Sequence, residues 1–294
     1  MKKLGEFLLA KDINAIVVAF LCALLSVFSI PIGFIAAIIV GLVTLQKGPK
    51  SGFWLLTWVA LPTIALLVLR QVGLFDVLIV RCVVIWLLAS LLYRYHTWRL
   101  VLEVMACVGV MLIGVLHFFV PHLHQWWTAE LTTYIQQLIT ASHWKLAISP
   151  SDFAARLAPI ASGVVLFFFL GSVLLELFVA RFWQSLIVDP GAFAKEFIQI
   201  RMGSIIAILL SLLLVLVLFK IRVAEDAFPI AILPFFIAGL SILHCLVRQN
   251  KKLIFWLVLM YVALFFLPAF AVTAIALIAF IDTCRNFRKN NRIA

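Results

Sequence analysis

Six ionisable side chains stand inside otherwise apolar stretches: Arg81, Glu103, His117, Glu176, His244 and Asp282. A charge in hydrocarbon is costly, so such residues pair with one another, face a bundle interior, or bind and move a solute, a proton or an ion. Glu103 follows Arg99 by four residues and Glu176 precedes Arg181 by five, which gives each acid a base near the end of its own helix. Glu103, Glu176, Arg99 and Arg181 therefore read as an intramembrane ion-pair layer. Arg81 lies deeper and has no obvious acid on its own helix beyond Asp76, so its guanidinium suits an anionic group. Together with His117 and the indoles of Trp126 and Trp127, it makes the candidate substrate-binding set.

Other constellations carry less chemistry. His122 and His124 form a His-x-His, with His117 and His143 on either side, but no carboxylate or cysteine stands beside them at ligand spacing, so no metal site is read. The five cysteines, Cys22, Cys82, Cys107, Cys245 and Cys284, are odd in number and include no CxxC pair, which argues against disulfides and zinc. KGPKSG at Lys47–Gly52 lacks the spacing of a phosphate-cradling loop and reads as a basic turn. Neither HExxH nor GxSxG occurs. No catalytic residue and no cofactor is assigned, and the chain is read as a non-enzyme.

The elements that must hold these residues are set by composition. At 66% hydrophobic and 12% charged over 294 residues, the chain has too little polar surface to face water, which excludes soluble kinases, nucleases and dehydrogenases. The net charge of +11 fits basic loops against anionic lipid better than nucleic acid. The predicted fold class is all-α, a polytopic helical membrane bundle forming one integral membrane domain over residues 1–294.

A crossing helix needs about 20 apolar residues. Six crossings follow at Gly52–Leu69, Leu74–Leu92, Leu100–Phe119, Pro159–Ala180, Ser204–Phe219 and Phe228–Val247. The runs Ile13–Leu45, broken at Pro31 and Gly33, and Leu253–Asp282, broken at Pro268, are each either one kinked helix or a hairpin. The first run is basic at its start and reads as an uncleaved membrane helix rather than a signal peptide.

Lysine and arginine decide between the alternatives, because they collect on the cytoplasmic side of short loops. With two hairpins, only Arg70, Lys145, Arg156, Lys220 and Arg222 fall outside and Arg81 lies within a helix, while every other Lys and Arg falls inside. With two single helices the asymmetry vanishes. The expectation is therefore about ten membrane segments, four of them short and in two end hairpins, in a bacterial inner membrane with both termini cytoplasmic.

Two loops carry amphipathic patterns. In the outer loop, residues 121–158, Leu131, Tyr134, Ile135, Leu138 and Ile139 share one helical stripe flanked by Trp126, Trp127 and Trp144, which predicts an interfacial helix. In the inner loop, residues 181–203, Asp189 and Pro190 read as N-cap and N1, and Phe193, Phe197 and Ile200 line one face of a helix from Pro190 to about Met202. Ala15, Ala19 and Ala23 form a small-residue stripe on the first helix, as do Gly33, Ala37 and Gly41 on the second. Such stripes allow close packing within the chain or against a partner. Ala15, Ala19, Ala23, Phe193 and Phe197 are the candidate partner-docking residues.

Four stretches, LVTLQKGPKSG (Leu42–Gly52), LFVARFWQSLIVDPGAFAKEFIQIRMG (Leu177–Gly203), GLSILH (Gly239–His244) and IDTCRNFRK (Ile281–Lys289), resemble in order and spacing the YybS-like family of bacterial inner-membrane proteins in its gammaproteobacterial form. The family is distantly similar in fold to the S-components of energy-coupling-factor transporters and to the rod-shape-determining protein MreD. The resemblance implies no particular reaction. In S-components a small-residue stripe on the first helix docks onto a transmembrane coupling subunit, and Ala15, Ala19 and Ala23 hold a comparable position, although the segments read here outnumber those of a minimal S-component.

Two functions follow as expectations. The first is a transporter-like subunit that binds or translocates a small solute. The alternative is a non-enzymatic scaffold of the cell envelope that recruits a cytoplasmic partner through the 190–202 segment and basic loops. Partners are membrane lipid and a membrane or cytoplasmic protein, with no nucleic acid.

Overall fold

The computed structural model describes residues 2–26, 28–68, 74–142 and 148–285, with the side chains of residues 30, 66–68, 74–77 and 142 excepted. Arg70, His143, Trp144, Lys145, the Asp76 side chain and the chain after Arg285 thus lie outside the described residues. Among those described there is no strand. The α-helices are α1 (Lys2–Ala10), α2 (Asp12–Leu25), α3 (Ile30–Lys47), α4 (Pro49–Val68), α5 (Leu74–Tyr95), α6 (Trp98–Phe119), α7 (Leu123–Ser142), α8 (Pro150–Leu157), α9 (Ala161–Val188), α10 (Ala192–Phe197), α11 (Ser204–Leu218), α12 (Arg222–Gln249), α13 (Ile254–Phe266) and α14 (Pro268–Arg285).

Among the described residues, five stretches are long and apolar enough to cross a membrane. They are Leu78–Tyr95 within α5, all of α6, the run Pro150–Val188 through α8 and α9, α12 and α14. A sixth results if α1 and α2, bent by 112° at their junction, count as one span. α3 and α11 are apolar but shorter. Large apolar side chains face outward in many helices, with Phe118 and Phe265 each at least 80% exposed, as is Phe28 in the turn before α3. Such a surface is unstable in water and natural in lipid, and the architecture is that of a membrane-embedded helical protein.

Local chemistry places several breaks. Proline lacks an N–H that the first turn of a helix does not use, so it is tolerated there and costs a backbone hydrogen bond further in. Pro49, Pro150 and Pro268 open α4, α8 and α14, and Pro31 sits in the first turn of α3. The Ile13–Leu45 run accordingly divides just before Pro31, and the Leu253–Asp282 run divides just before Pro268; in each case the two helices pack on one another. α3 ends at Gly48, whose φ of 91° is open to glycine and whose N–H bonds the Thr44 carbonyl at 3.0 Å, so α4 starts at once.

By its own contacts the chain forms two compact units. The first comprises Met1–Val101 and Leu170–Gln199, and the second Leu102–Phe169 and Ile200–Ala294. In the first, α3 lies against α2, α4 and α5. Ala15, Ala19 and Ala23 are buried where α2 meets its neighbours, and a Cβ on Gly52 would overlap Thr44 Oγ1, so the Thr44 side chain of α3 lies directly on the α4 backbone. α1, which the sequence reading leaves as a basic lead-in, is a separate short helix whose Gly5 fits under the side chains of Trp183 and Ile187.

In the second unit α12 is the central element, packed by α11, α13 and α14 and by the 3-10 turn Ala158–Ile160. It carries Pro229 and Pro234 in its interior, and a Cβ on Gly239 would overlap the Ile275 carbonyl oxygen of α14. α13, by contrast, buries none of its residues. α7 packs on α8 and the 3-10 turn.

Candidate functional site: a buried charge pair

Arg81 is a charged residue in the middle of the apolar sequence VLIVRCVVIW of α5. Ser172 and Glu176 are one turn apart on α9 and so share a face. Arg81 Nη1 donates to Ser172 Oγ at 2.9 Å and to Glu176 Oε1 at 2.5 Å, and its guanidinium carbon lies 4.6 Å from the centroid of the Phe34 ring of α3. Arg81 is 7% exposed and Glu176 5%. Glu176 Oε2 is buried and has no hydrogen-bond partner. The thiol of Cys82, next to Arg81, is fully buried beside the pair. The arrangement is a neutral couple of opposite charges, removed from water and backed by an aromatic face.

The acid partner that the sequence reading assigns to Arg181 is thus held elsewhere. Five residues along a helix turn the side chain by about 140°, so Glu176 and Arg181 point to different faces. Arg181 instead donates from Nε to Glu196 Oε2 at 3.1 Å, from Nη2 to Glu196 Oε1, and from Nη1 to Gln184 Oε1 at 2.5 Å. Glu196 belongs to α10 and also accepts from Trp98 Nε1 at 3.2 Å. Gln184 in turn donates to the Leu45 carbonyl and to Gln46 Oε1. Arg99 and Glu103 stand one turn apart on α6, and Glu103 Oε1 accepts the Gly203 N–H at 2.7 Å, ahead of α11.

The helix expected over residues 190–202 is a correction. Gly191, with φ 95°, delays the helix start, so α10 covers only Ala192–Phe197. The chain then runs without regular structure to α11, with the Ile200 carbonyl accepting from Ser241 Oγ and Arg201 Nη2 donating to the Asp282 carbonyl. Phe193 and Phe197 are half-buried, and their rings sit in a cluster with Trp98, Phe178 and Phe182 at centroid distances from 4.8 to 6.3 Å. The apolar face of this segment and the Ala15–Ala19–Ala23 stripe are both occupied inside the first unit.

His117, Trp126 and Trp127 belong to the second unit, whereas Arg81 belongs to the first. His117 Nε2 is 3.0 Å from Asp226 Oδ2, and Asp226 Oδ1 accepts the Gly163 N–H at 2.6 Å. Gly163 lies in the first turn of α9, where backbone donors have no partner within the helix, so Asp226 of α12 caps α9 from another element. Trp127 Nε1 donates to Ser162 Oγ at 2.7 Å and its ring meets that of Trp126 edge-on. Trp126 itself is exposed. α7 packs on α8 and the 3-10 turn and buries Leu123 and Ile135, while Tyr134 and Leu138 of the predicted apolar stripe are exposed.

Ser172 and Asp226 are absent from the sequence reading. Ser172 is signalled only by its one-turn spacing from Glu176. Asp226 sits in a charged stretch, RVAED, that reads as a loop but forms the first turns of α12. The remaining intramembrane ionisable groups have local partners. His244 Nδ1 lies 2.8 Å from the Leu240 carbonyl and Nε2 lies 3.2 Å from the Tyr261 hydroxyl. Asp282 Oδ2 is 3.7 Å from Arg201 Nε. Among the described residues no three His, Cys, Asp or Glu side chains converge as a metal-ligand set. Comparison of the chain with family models, curated proteins and solved structures finds no match.

Proposed function

We propose that the chain is a transporter-like subunit of a bacterial inner membrane that binds or translocates a small solute, and that the Arg81–Glu176 pair is its charged centre. The burial of that pair in apolar helices carries the reading, because a salt bridge in such a place gives less stability than well-packed apolar side chains of the same volume. Ser172 and Phe34 hold the guanidinium in one orientation, as a binding group requires.

The proposed topology keeps about ten segments with both ends cytoplasmic. Fresh helices beginning at Ile30 and Pro268, each packed on its predecessor, support the two hairpins, and the lysine and arginine asymmetry supports the orientation. The short members need tilt or shielding by neighbours to reach across a bilayer. The YybS-like resemblance agrees with an inner-membrane location. The scaffold alternative retains the basic loops, while Phe193 and Phe197 on its apolar contact face are half-buried against Trp98 and Phe178.

The test is ligand-dependent thermal stabilisation of protein reconstituted in lipid, run against vitamins, nucleosides and small anions. A solute that raises the melting temperature of the native chain and not that of Arg81→Ala supports the reading. Stabilisation by none of these solutes overturns it.

A further inference from the structure

In the first unit, α2, α3 and α4 leave a cavity of about 220 Å³ between them. Its wall is apolar at Ala15 and Leu55 and aromatic at Trp54 and Trp58; Ser51 adds a hydroxyl, and Asp12 is the one charged group among its described lining residues. Trp54 and Trp58 are one turn apart on α4, so the two indoles share a face. The site is open to the outside, with the Asp12 side chain 73% exposed and Trp54 68%. Pockets that enclose a drug-sized ligand run to roughly 300–1,000 Å³, so this one suits a small polar group attached to something that lies beyond it.

The charges around the cavity select that group. Asp12 Oδ1 accepts from Lys47 Nζ at 2.6 Å, and among the described residues neither Asp12 Oδ2 nor Ser51 Oγ has a hydrogen-bond partner. A carboxylate and two indoles together recognise a cation: the first accepts its N–H bonds, and the rings attract its charge. Lys47 and Lys50, at the junction of α3 and α4, stand outside the lining and supply the opposite sign. A free cation is repelled by these lysines and a simple anion by Asp12. A molecule that carries an ammonium and a phosphate a few bonds apart meets both and adds no net charge. The ethanolamine headgroup of a phospholipid is such a group, and its primary ammonium has three N–H donors, like that of lysine. The trimethylammonium of a choline lipid has no N–H, and a glycerol headgroup has no cation for Asp12. Indoles favour the headgroup level, and α2 and α4 turn Val17, Leu21 and Leu61 outward where acyl chains would lie.

We infer that Asp12, Ser51, Trp54 and Trp58 form a headgroup site for one phosphatidylethanolamine, with its ammonium at Asp12 and the indoles, its phosphate at Lys47 and Lys50, and its chains in the surrounding bilayer. The inference requires only that the chain is embedded in a membrane, and it stands apart from any solute bound at Arg81 and Glu176.

The experiment is native mass spectrometry of the full chain, released from detergent micelles that hold equal amounts of phosphatidylethanolamine, its N-methyl and N,N-dimethyl forms, phosphatidylcholine and phosphatidylglycerol, all with the same acyl chains. Phosphatidylethanolamine is expected to be retained, one per chain, about tenfold more than the choline or glycerol lipid. Across the methylated series, which needs no variant, retention should fall stepwise as N–H donors are lost. Asp12→Asn should erase the preference; it removes one exposed ion pair, which contributes little to stability, so the fold survives. Trp54→Leu with Trp58→Leu should weaken retention of the ethanolamine lipid and leave that of the glycerol lipid unchanged. Equal retention of all the lipids, a preference for phosphatidylglycerol, or an ethanolamine preference that persists in Asp12→Asn overturns the inference. Phosphoethanolamine without acyl chains competing as well as the lipid overturns it too, because the occupant is then a free solute.

Discussion

The carbonyl oxygen of Asp226 occupies the place that a Cβ on Gly163 would need, and the Asp226 carboxylate takes the Gly163 N–H at 2.6 Å. α9 and α12 thus meet with no side chain between them, and the acid that allows the approach also meets the open donor at the start of α9.

Gly163→Ala is therefore expected to destabilise the fold by about 3 kcal/mol or more, since backbone rather than a flexible side chain would have to move. Gly114 is the control. It is also helical, and a Cβ added there would meet nothing within 4 Å, so Gly114→Ala should be neutral or stabilising by up to about 1 kcal/mol. Thermal unfolding of the two variants in detergent gives the comparison, and equal melting temperatures would contradict the close crossing.

Removing one partner of the buried pair should cost far more than removing both. Arg81→Met alone strands a carboxylate and is expected to lose about 3 to 5 kcal/mol, whereas Arg81→Met with Glu176→Met should recover most of that loss. A double-mutant cycle on melting temperature reads the coupling. Additive losses would mean that the two side chains do not act as a couple.

Phe178 anchors the ring cluster against Trp98, Phe193 and Phe197. Phe178→Ala should cost about 3 to 5 kcal/mol, the range for a buried phenylalanine, and Phe193→Asp should also lower stability by burying a charge among rings. If Phe193 were a free docking residue, Phe193→Asp would leave the melting temperature unchanged, and that result would restore the scaffold reading's contact surface.

Reporter fusions check the proposed topology. A phosphatase fused after Ile32 should be active outside the cytoplasm, and a fluorescent protein fused after Arg285 should fold inside it. The opposite result at either position removes one of the two hairpins.

The membrane class and the helix breaks are legible in the sequence because both are local. Apolar run length reports the solvent, and Pro31 and Pro268 mark helix starts through the one donor they lack. Arg81 can be singled out but not paired: its acid lies 95 residues along the chain, and no spacing rule connects positions that far apart. The same holds for His117 and Asp226, separated by 109 residues. The 190–202 helix is shorter than its apolar pattern suggests for a local reason, since Gly191 after Pro190 favours a left-handed turn over a first helical turn.

Gly163 and Gly239 have a joint effect on α12. Their contacts fall at Asp226 and Gly239, thirteen residues or about 20 Å apart along the helix axis, and each brings main chain against main chain or nearly so. A helix pinned at two such points can neither spin about its axis nor slide along it without parting from α9 and α14. α13, by contrast, buries none of its own residues, so a shift of this helix over its neighbours would uncover no buried side chain of its own, at the loss of the 3.2 Å contact between Tyr261 and His244.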